Sequence, residues 1–221
     1  VQILGFQAAF KSSFQQPYFR ALSSIPSIDP DINRTISYWF EGEDLRSKWF
    51  MGGAKIDAEI KTQFGDLVEK ARASQLSTWA QQPQGALALI VLLDQFPRNI
   101  FRGSPLSYSS DSMAVEVATE AIAKGFDREV THLQQPFFYL PLMHSENLLS
   151  QVAALALYEN LCYRCEPDSM PKEYAESSTK YSSLHRDVIM RFGRFPSRNE
   201  ALGRISTPEE IQYLKEHPSG F

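Results

Sequence analysis

The chain has 221 residues, of which 43% are apolar, 22% charged and 12% aromatic, with a formal net charge of -4. That length suits one domain, and that apolar share fills a core without disulfides or structural metal. No basic footprint exists for neutralising phosphates, so nucleic acid is not an expected partner. The longest apolar stretch, Ala86 to Leu93, closes at Asp94 and falls well short of the ~20 residues of a membrane span.

Residues 1–28 contain Lys11 and Arg20, several serines and no acid, with Phe6, Phe10 and Phe14 spaced four apart. This composition resembles an organelle-targeting presequence; the other reading is an extra N-terminal helix whose Phe stripe covers the core. Residues 1–30 are therefore an extension or extra helix, and 31–221 a single all-helical domain. Asp29-Pro30-Asp31 offers a helix start, after which Ile32, Ile36, Trp39 and Phe40 share a face. From Lys55 to Ala73 apolar residues recur at helical spacing with charges opposite, which is the pattern of an amphipathic surface helix. Pro83-Gln84-Gly85 opens a segment apolar all round, read as the central helix.

Ser110-Asp111 can cap a helix running to Lys124, with Gly125 ending it in the left-handed conformation. Residues 134–161 are long and apolar, and Pro141 should kink or split them. Cys162 and Cys165 form a lone C-x-x-C after this stretch, without the further ligands or the strand context that zinc or thioredoxin-like chemistry needs. They read as two reduced thiols at a helix end, which favours a cytoplasmic location. Pro171 to Phe192 supplies another amphipathic helix, and Thr207-Pro208-Glu209-Glu210 carries a capping box for the last. The whole reads as all-α, about eight helices stacked as antiparallel hairpins with short loops. No clean sequence repeat is visible.

Polar residues gather in three places. The first runs from Asp94 and Gln95 through Arg98 to Arg102, where Asp94 and Arg98 can form a fixed ion pair. The second holds Tyr139, His144 and Glu146, with Gln151 beyond. The third runs from His185 through Arg191, Arg194, Arg198 and Asn199 to Arg204 and uses arginine without lysine. Guanidinium forks suit carboxylate, carbonyl or phosphate oxygens; the competing reading is that they bind internal carboxylates and helix carbonyls.

The strings Leu92-Leu-Asp-Gln-Phe-Pro-Arg-Asn-Ile-Phe-Arg-Gly103, Tyr139-Leu-Pro-Leu-Met-His-Ser-Glu146 and Arg191-Phe-Gly-Arg-Phe-Pro-Ser-Arg-Asn199, with Trp39-Phe40 and Trp49-Phe50, resemble those of the "domain of unknown function 924" family over residues 32–221. The resemblance implies an all-helical fold similar to tetratricopeptide repeats, and implies no activity. The family pattern usually carries Asp where this chain has Asn147, an Asp-Gln pair where it has Ser150-Gln151, and His where it has Ser197. Two carboxylates and an imidazole are thus missing from the polar clusters: if a family cavity binds a metal or runs acid–base chemistry through those groups, this chain should do so poorly, and a changed, less charged pocket is the alternative.

No phosphate loop, H-E-x-x-H, nucleophile elbow or paired cysteine-histidine set is present, so no cofactor or metal is expected. The leading expectation is a helical pocket for a small, largely apolar metabolite bearing a carbonyl or carboxylate. It would act as a cofactor-independent isomerase or cyclase that holds a folded conformer and stabilises a developing oxyanion. His144, Glu146 and Arg98 are the candidate catalytic groups. Gln95, Arg102, Tyr139, Gln151, Arg191, Arg194, Arg198 and Asn199 are the candidate substrate-binding groups. The alternative is a tetratricopeptide-like scaffold whose groove binds a peptide or protein; a hydrolase using His144 and Glu146 stands third.

Overall fold

In a computed structural model, which describes residues 29–221, the side chain of Asp29 accepts the Asp31 N–H and starts α1 (Pro30–Phe40). The expectations for residues 1–28 lie outside the described residues. Ile32, Trp39 and Phe40 are buried along one face of α1, as their spacing requires. The last carbonyls of a helix have no partner within it. Here Lys48 Nζ donates to the carbonyl of Tyr38 at 2.5 Å, and Trp49 Nε1 to that of Trp39 at 2.9 Å. Those two bonds draw the π-helical turn Ser47–Met51 back against the end of α1.

Helix α2 (Ala54–Arg72) buries Ile60, Phe64, Leu67, Val68 and Ala71 and turns its charges outward. A short 3-10 turn, Ser77–Gln81, leads to α3 (Pro83–Ile90), whose residues from Gly85 onward are all buried. Gly85 is required there, because a Cβ on it would lie 2.2 Å from the carbonyl oxygen of Trp79. The central segment does not continue as one α-helix. Residues Val91–Gln95 widen into a π-turn, in which the Phe96 N–H reaches the carbonyl of Val91, before α4 (Phe96–Ile100) resumes. Pro97 has no N–H to give the carbonyl of Leu93; the Ser110 hydroxyl donates to it instead, at 2.7 Å. Ser110 therefore serves α3 and α4, and it does not cap α5 (Asp111–Ala123) by its side chain. Gly125 follows α5 in the left-handed region, φ 78°, as expected.

Helix α6 (Gln135–His144) runs through Pro141 without ending. The expected split of residues 134–161 is present, but it falls at Ser145–Asn147, where Asn147 accepts the Ser150 N–H and caps α7 (Leu148–Arg164). The helix survives Pro141 because every residue of α6 before His144 is buried and tertiary packing outweighs one lost ladder bond. Cys162 lies in α7 and Cys165 caps it; both are free thiols. Helix α8 (Met170–Phe192) ends at Gly193, φ 68°, and α9 (Pro208–Glu216) has the full Thr207–Glu210 capping box.

The described residues thus hold nine α-helices and no strand, one more than expected because the π-turn divides the central segment. Helices α5, α6, α7 and α8 each pack on the next, while α3 sits among α1, α5 and α6. One large core, centred on Trp39, Phe64, Phe96, Phe137 and Tyr158, ties α1 to α8 together. Each large apolar side chain so buried contributes roughly 1.5–3 kcal/mol relative to exposure. A smaller cluster of Val188, Ile189 and Phe195 secures the C-terminal turns. No helix among the described residues is long and apolar enough to cross a membrane.

Candidate functional site

Four elements enclose a cavity of about 500 Å³, the size range of small-molecule sites. One wall, from the end of the π-turn through α4 to the turn after it, carries Gln95, Arg98, Asn99 and Arg102. From α6 come Phe137, Leu140, Met143 and His144, and from α8 come Tyr174, Ser178, Tyr181 and His185, again one face. The π-turn beside α1 closes the fourth side with Arg46, Trp49 and Phe50.

At the base of the cavity lies a buried polar network. Asp94, 0% exposed, projects from the π-turn of the central segment. Its carboxylate accepts His144 Nδ1–H at 2.8 and 3.0 Å, the Gln95 side-chain amide, and a 3.2 Å ion pair from Arg98. Arg98 also pairs with Asp111 at 3.0 Å, and Asp111 with Arg198 at 3.2 Å. Two carboxylates thus face two guanidinium groups, leaving no net charge to solvate. Burial on its own would raise the Asp94 carboxyl, but the charge of Arg98 and the hydrogen bonds from His144 and Gln95 outweigh it and hold Asp94 well below the usual carboxylate range. For His144, burial lowers the imidazole pKa, the carboxylate of Asp94 pulls it up, and Arg98 pushes it down again, so that the net shift is downward. At neutral pH the pair is an ionised Asp94 and a neutral His144. Because Nδ1 carries the proton toward Asp94, Nε2 of this cavity-lining ring is left unprotonated. That is the arrangement in which a carboxylate fixes the tautomer and orientation of a histidine general base.

A second imidazole shares the cavity. His185 Nδ1 donates to the carbonyl of Tyr181 at 2.8 Å, and the ring stacks on Phe221 at 3.9 Å and sits 6.3 Å from His144. Burial, and then the nearness of His144, bring its pKa down to about 3.

Of the sequence candidates, His144, Arg98, Gln95 and Arg102 come together on this cavity. Arg102 is held by a two-pronged contact with Asp57, 2.9 Å on each arm, and Asn99 adds a 2.8 Å bond to the same carboxylate. Two others act one step back, on the helix end that bears His144. Gln151 donates to the carbonyls of Met143 and Ser145 at 2.7 and 2.6 Å, and Arg198 donates to that of His144 at 2.8 Å. Glu146 does not reach the cavity: Arg204 grips it at 2.7 and 2.9 Å, and it accepts the Phe195 N–H. Tyr139 donates to Asp127 at 2.7 Å inside the core. Arg191 pairs with Glu209 and Arg194 with Glu210, while Asn199 bonds Ser206 and Glu210. Glu146, Arg191, Arg194 and Asn199 hold the C-terminal turns together, as the competing reading of the arginines has it, while Tyr139 ties α6 to the turn after α5.

Asn147, Ser150 and Ser197, the departures from the family pattern, also lie off the cavity wall. Asn147 fills a helix cap that Asp fills equally well, so the substitutions leave the cavity's charge unaltered. The sequence marks His185 only as the start of a polar cluster and does not single out Tyr174, Ser178 and Tyr181; the four, at i, i+4, i+7 and i+11 counted from Tyr174, share one face of α8. Sequence reasoning also passed over Arg46, Trp49 and Phe50, for which no local pattern announces a cavity wall. Among the described residues no three His, Cys, Asp or Glu side chains group as a metal site.

Fold and site together define an all-helical protein with a half-open cavity built over a buried Asp–His–Arg network. The chain belongs to the family described as bacterial protein of unknown function (DUF924), whose model matches residues 35–218. A solved structure of a protein of unknown function from Agrobacterium tumefaciens is 38% identical, with a TM-score of 0.71, over 84% of this chain and 97% of that one. No curated protein matches the chain.

Proposed function

We propose that the cavity binds a small, largely apolar metabolite bearing a carbonyl or carboxylate and catalyses its isomerisation by proton transfer, with His144 as the general base. The observation that carries this reading is the Asp94–His144 contact at 2.8 Å, with Asp94 fully buried and His144 on the cavity wall. Nε2 of His144 would take the proton from a carbon next to the carbonyl. The electron pair left behind moves onto the carbonyl oxygen, where cationic side chains on the wall, Arg98 and Arg102 among them, lower the energy of the developing oxyanion. In a substrate with a β,γ double bond, the imidazolium returns the proton to the γ-carbon as the oxyanion collapses to the carbonyl and the double bond moves to the α,β position, which completes an isomerisation and restores the neutral imidazole. Cyclisation of a held conformer, the other chemistry expected of the sequence, uses the same charge stabilisation. A cavity walled by aromatic rings and arginines supports a metabolite over a peptide, which as a scaffold's partner would need a groove running across several helices.

The test is metabolite capture. Purified protein is incubated with a cell extract and washed, and the retained small molecules are identified by mass spectrometry and checked by thermal shift. A carbonyl- or carboxylate-bearing compound that raises Tm in the wild type, and is not turned over by His144→Ala, is the expected result. Retention of peptides alone would sink the proposal.

A further inference from the structure

Beyond the Asp94–His144 contact the cavity lining is aromatic in one part and cationic in another, and the combination specifies a ligand. Trp49, Phe137 and Tyr174 form a continuous ring surface: Trp49 lies 5.0 Å from Phe137 and 5.4 Å from Tyr174, and the planes of Trp49 and Phe137 are each tilted 36° to that of Tyr174. Phe50 extends this surface toward solvent, 5.8 Å from Tyr174 and 61% exposed. Phe137 and Tyr174 are buried and count as core. The open ring area belongs to Trp49 and Phe50, and it is held out by the bonds from Lys48 and Trp49 to the end of α1.

The charge on the same wall has one sign. Arg46, Arg98 and Arg102 line the cavity and no carboxylate residue does. Arg98 and Arg102 are taken by Asp94 and by Asp57. Arg46 is exposed and, among the described residues, makes no ion pair or hydrogen bond. An unpaired guanidinium beside exposed rings is suited to a planar anion, whose ring stacks while its carboxylate takes the fork. An ammonium ligand would meet the unpaired guanidinium of Arg46 and no carboxylate on the wall, so the aromatic wall is not a cation cage.

We infer that the substrate class of this cavity is aryl carboxylates: compounds whose aromatic ring rests on Trp49 and Phe50 and whose carboxylate pairs with Arg46. The inference rests on the cavity being a metabolite site and narrows what that metabolite is.

Three probes separate the features: 3-phenylpropanoate, 3-cyclohexylpropanoate, which keeps the charge and loses the ring, and 3-phenylpropanamide, which keeps the ring and loses the charge. Dissociation constants come from calorimetry. Binding position comes from tryptophan fluorescence, which reports Trp49 because Trp39 and Trp79 are 1% and 4% exposed. The aryl carboxylate should bind roughly tenfold tighter than either analogue and quench the emission. Arg46→Gln touches no structural partner, and it should cost the carboxylate about tenfold while leaving the amide unchanged. Phe50→Leu, at an exposed position that the fold does not need, should weaken both aryl probes and spare the cyclohexyl one. Equal binding of the cyclohexyl or amide probe, binding without quenching, or no binding at all would overturn the inference. The same titration on His144→Ala separates it from the catalytic proposal: aryl carboxylates that still bind, with no proton transfer in the wild type, uphold the ligand class and remove the isomerase.

Discussion

With Asn in place of Asp94, Arg98 and Arg198 would retain only Asp111 as a buried counter-charge. Breaking a buried ion pair from one side costs about 3–5 kcal/mol, so Asp94→Asn should lower the urea midpoint markedly. The amide can also donate to Nδ1, which would move the imidazole proton to Nε2 and abolish the base. His144→Ala removes a partly accessible ring and keeps every charge, so its fold should be far less affected, while proton transfer should fall by a factor of roughly 10²–10⁴. The two variants therefore separate structure from chemistry at one contact. His185 makes a prediction about acid. Its folded pKa of about 3 lies below the unfolded value near 6.5. The unfolded chain therefore takes up the proton first as pH falls, and stability is full above the unfolded value and declines from there toward pH 3. His144, also shifted downward, adds in the same direction. Urea unfolding at pH 7, 6 and 5 should show this decline, and His185→Gln should flatten it.

Among the elements, α3 is the least tolerant of change. Gly85→Ala would place its methyl 2.2 Å from a backbone oxygen, an overlap that only backbone movement relieves. A loss of roughly 1–3 kcal/mol or more is expected, read as a lower Tm. The cap of α9 is a milder case: Thr207→Ala removes the acceptor for the Glu210 N–H and should cost about 1 kcal/mol. Most helix boundaries were legible because such caps are local chemistry: Asp29, Gly125 and Thr207 act within a turn of themselves. Two features were not. Pro141 was expected to break its helix, and it does not, because burial of the flanking Leu140 and Leu142 is a tertiary effect invisible to a proline rule. The π-turn at Val91–Gln95 leaves no mark in periodicity either. It follows from Pro97 together with a hydroxyl seventeen residues away, Ser110 on Leu93.

At the level of the whole molecule, polar residues announced themselves in sequence but their division of labour did not. Arg98 and Arg194 look alike as letters; one faces a cavity and the other clamps Glu210. That distinction depends on which helix face meets α8, and most of α8's own contribution, Tyr174, Ser178 and Tyr181, comes from a segment read only as amphipathic. The cavity thus arises where α4, α6, α8 and the turn after α1 converge, and its chemistry turns on one of them, the end of α6, placing His144 against Asp94. Solvent exchange tests this most directly. A panel of small keto acids, aryl members included, is incubated with the protein in D2O, and deuterium at the carbon beside the carbonyl is followed by mass spectrometry for wild type and His144→Ala. Wild-type protein should label at least one member, with a rate level above neutral pH and falling on acidification, and His144→Ala should be at least about 100-fold slower. If no member of the panel exchanges, or if His144→Ala exchanges as fast as wild type, the cavity is not the acid–base site proposed for it.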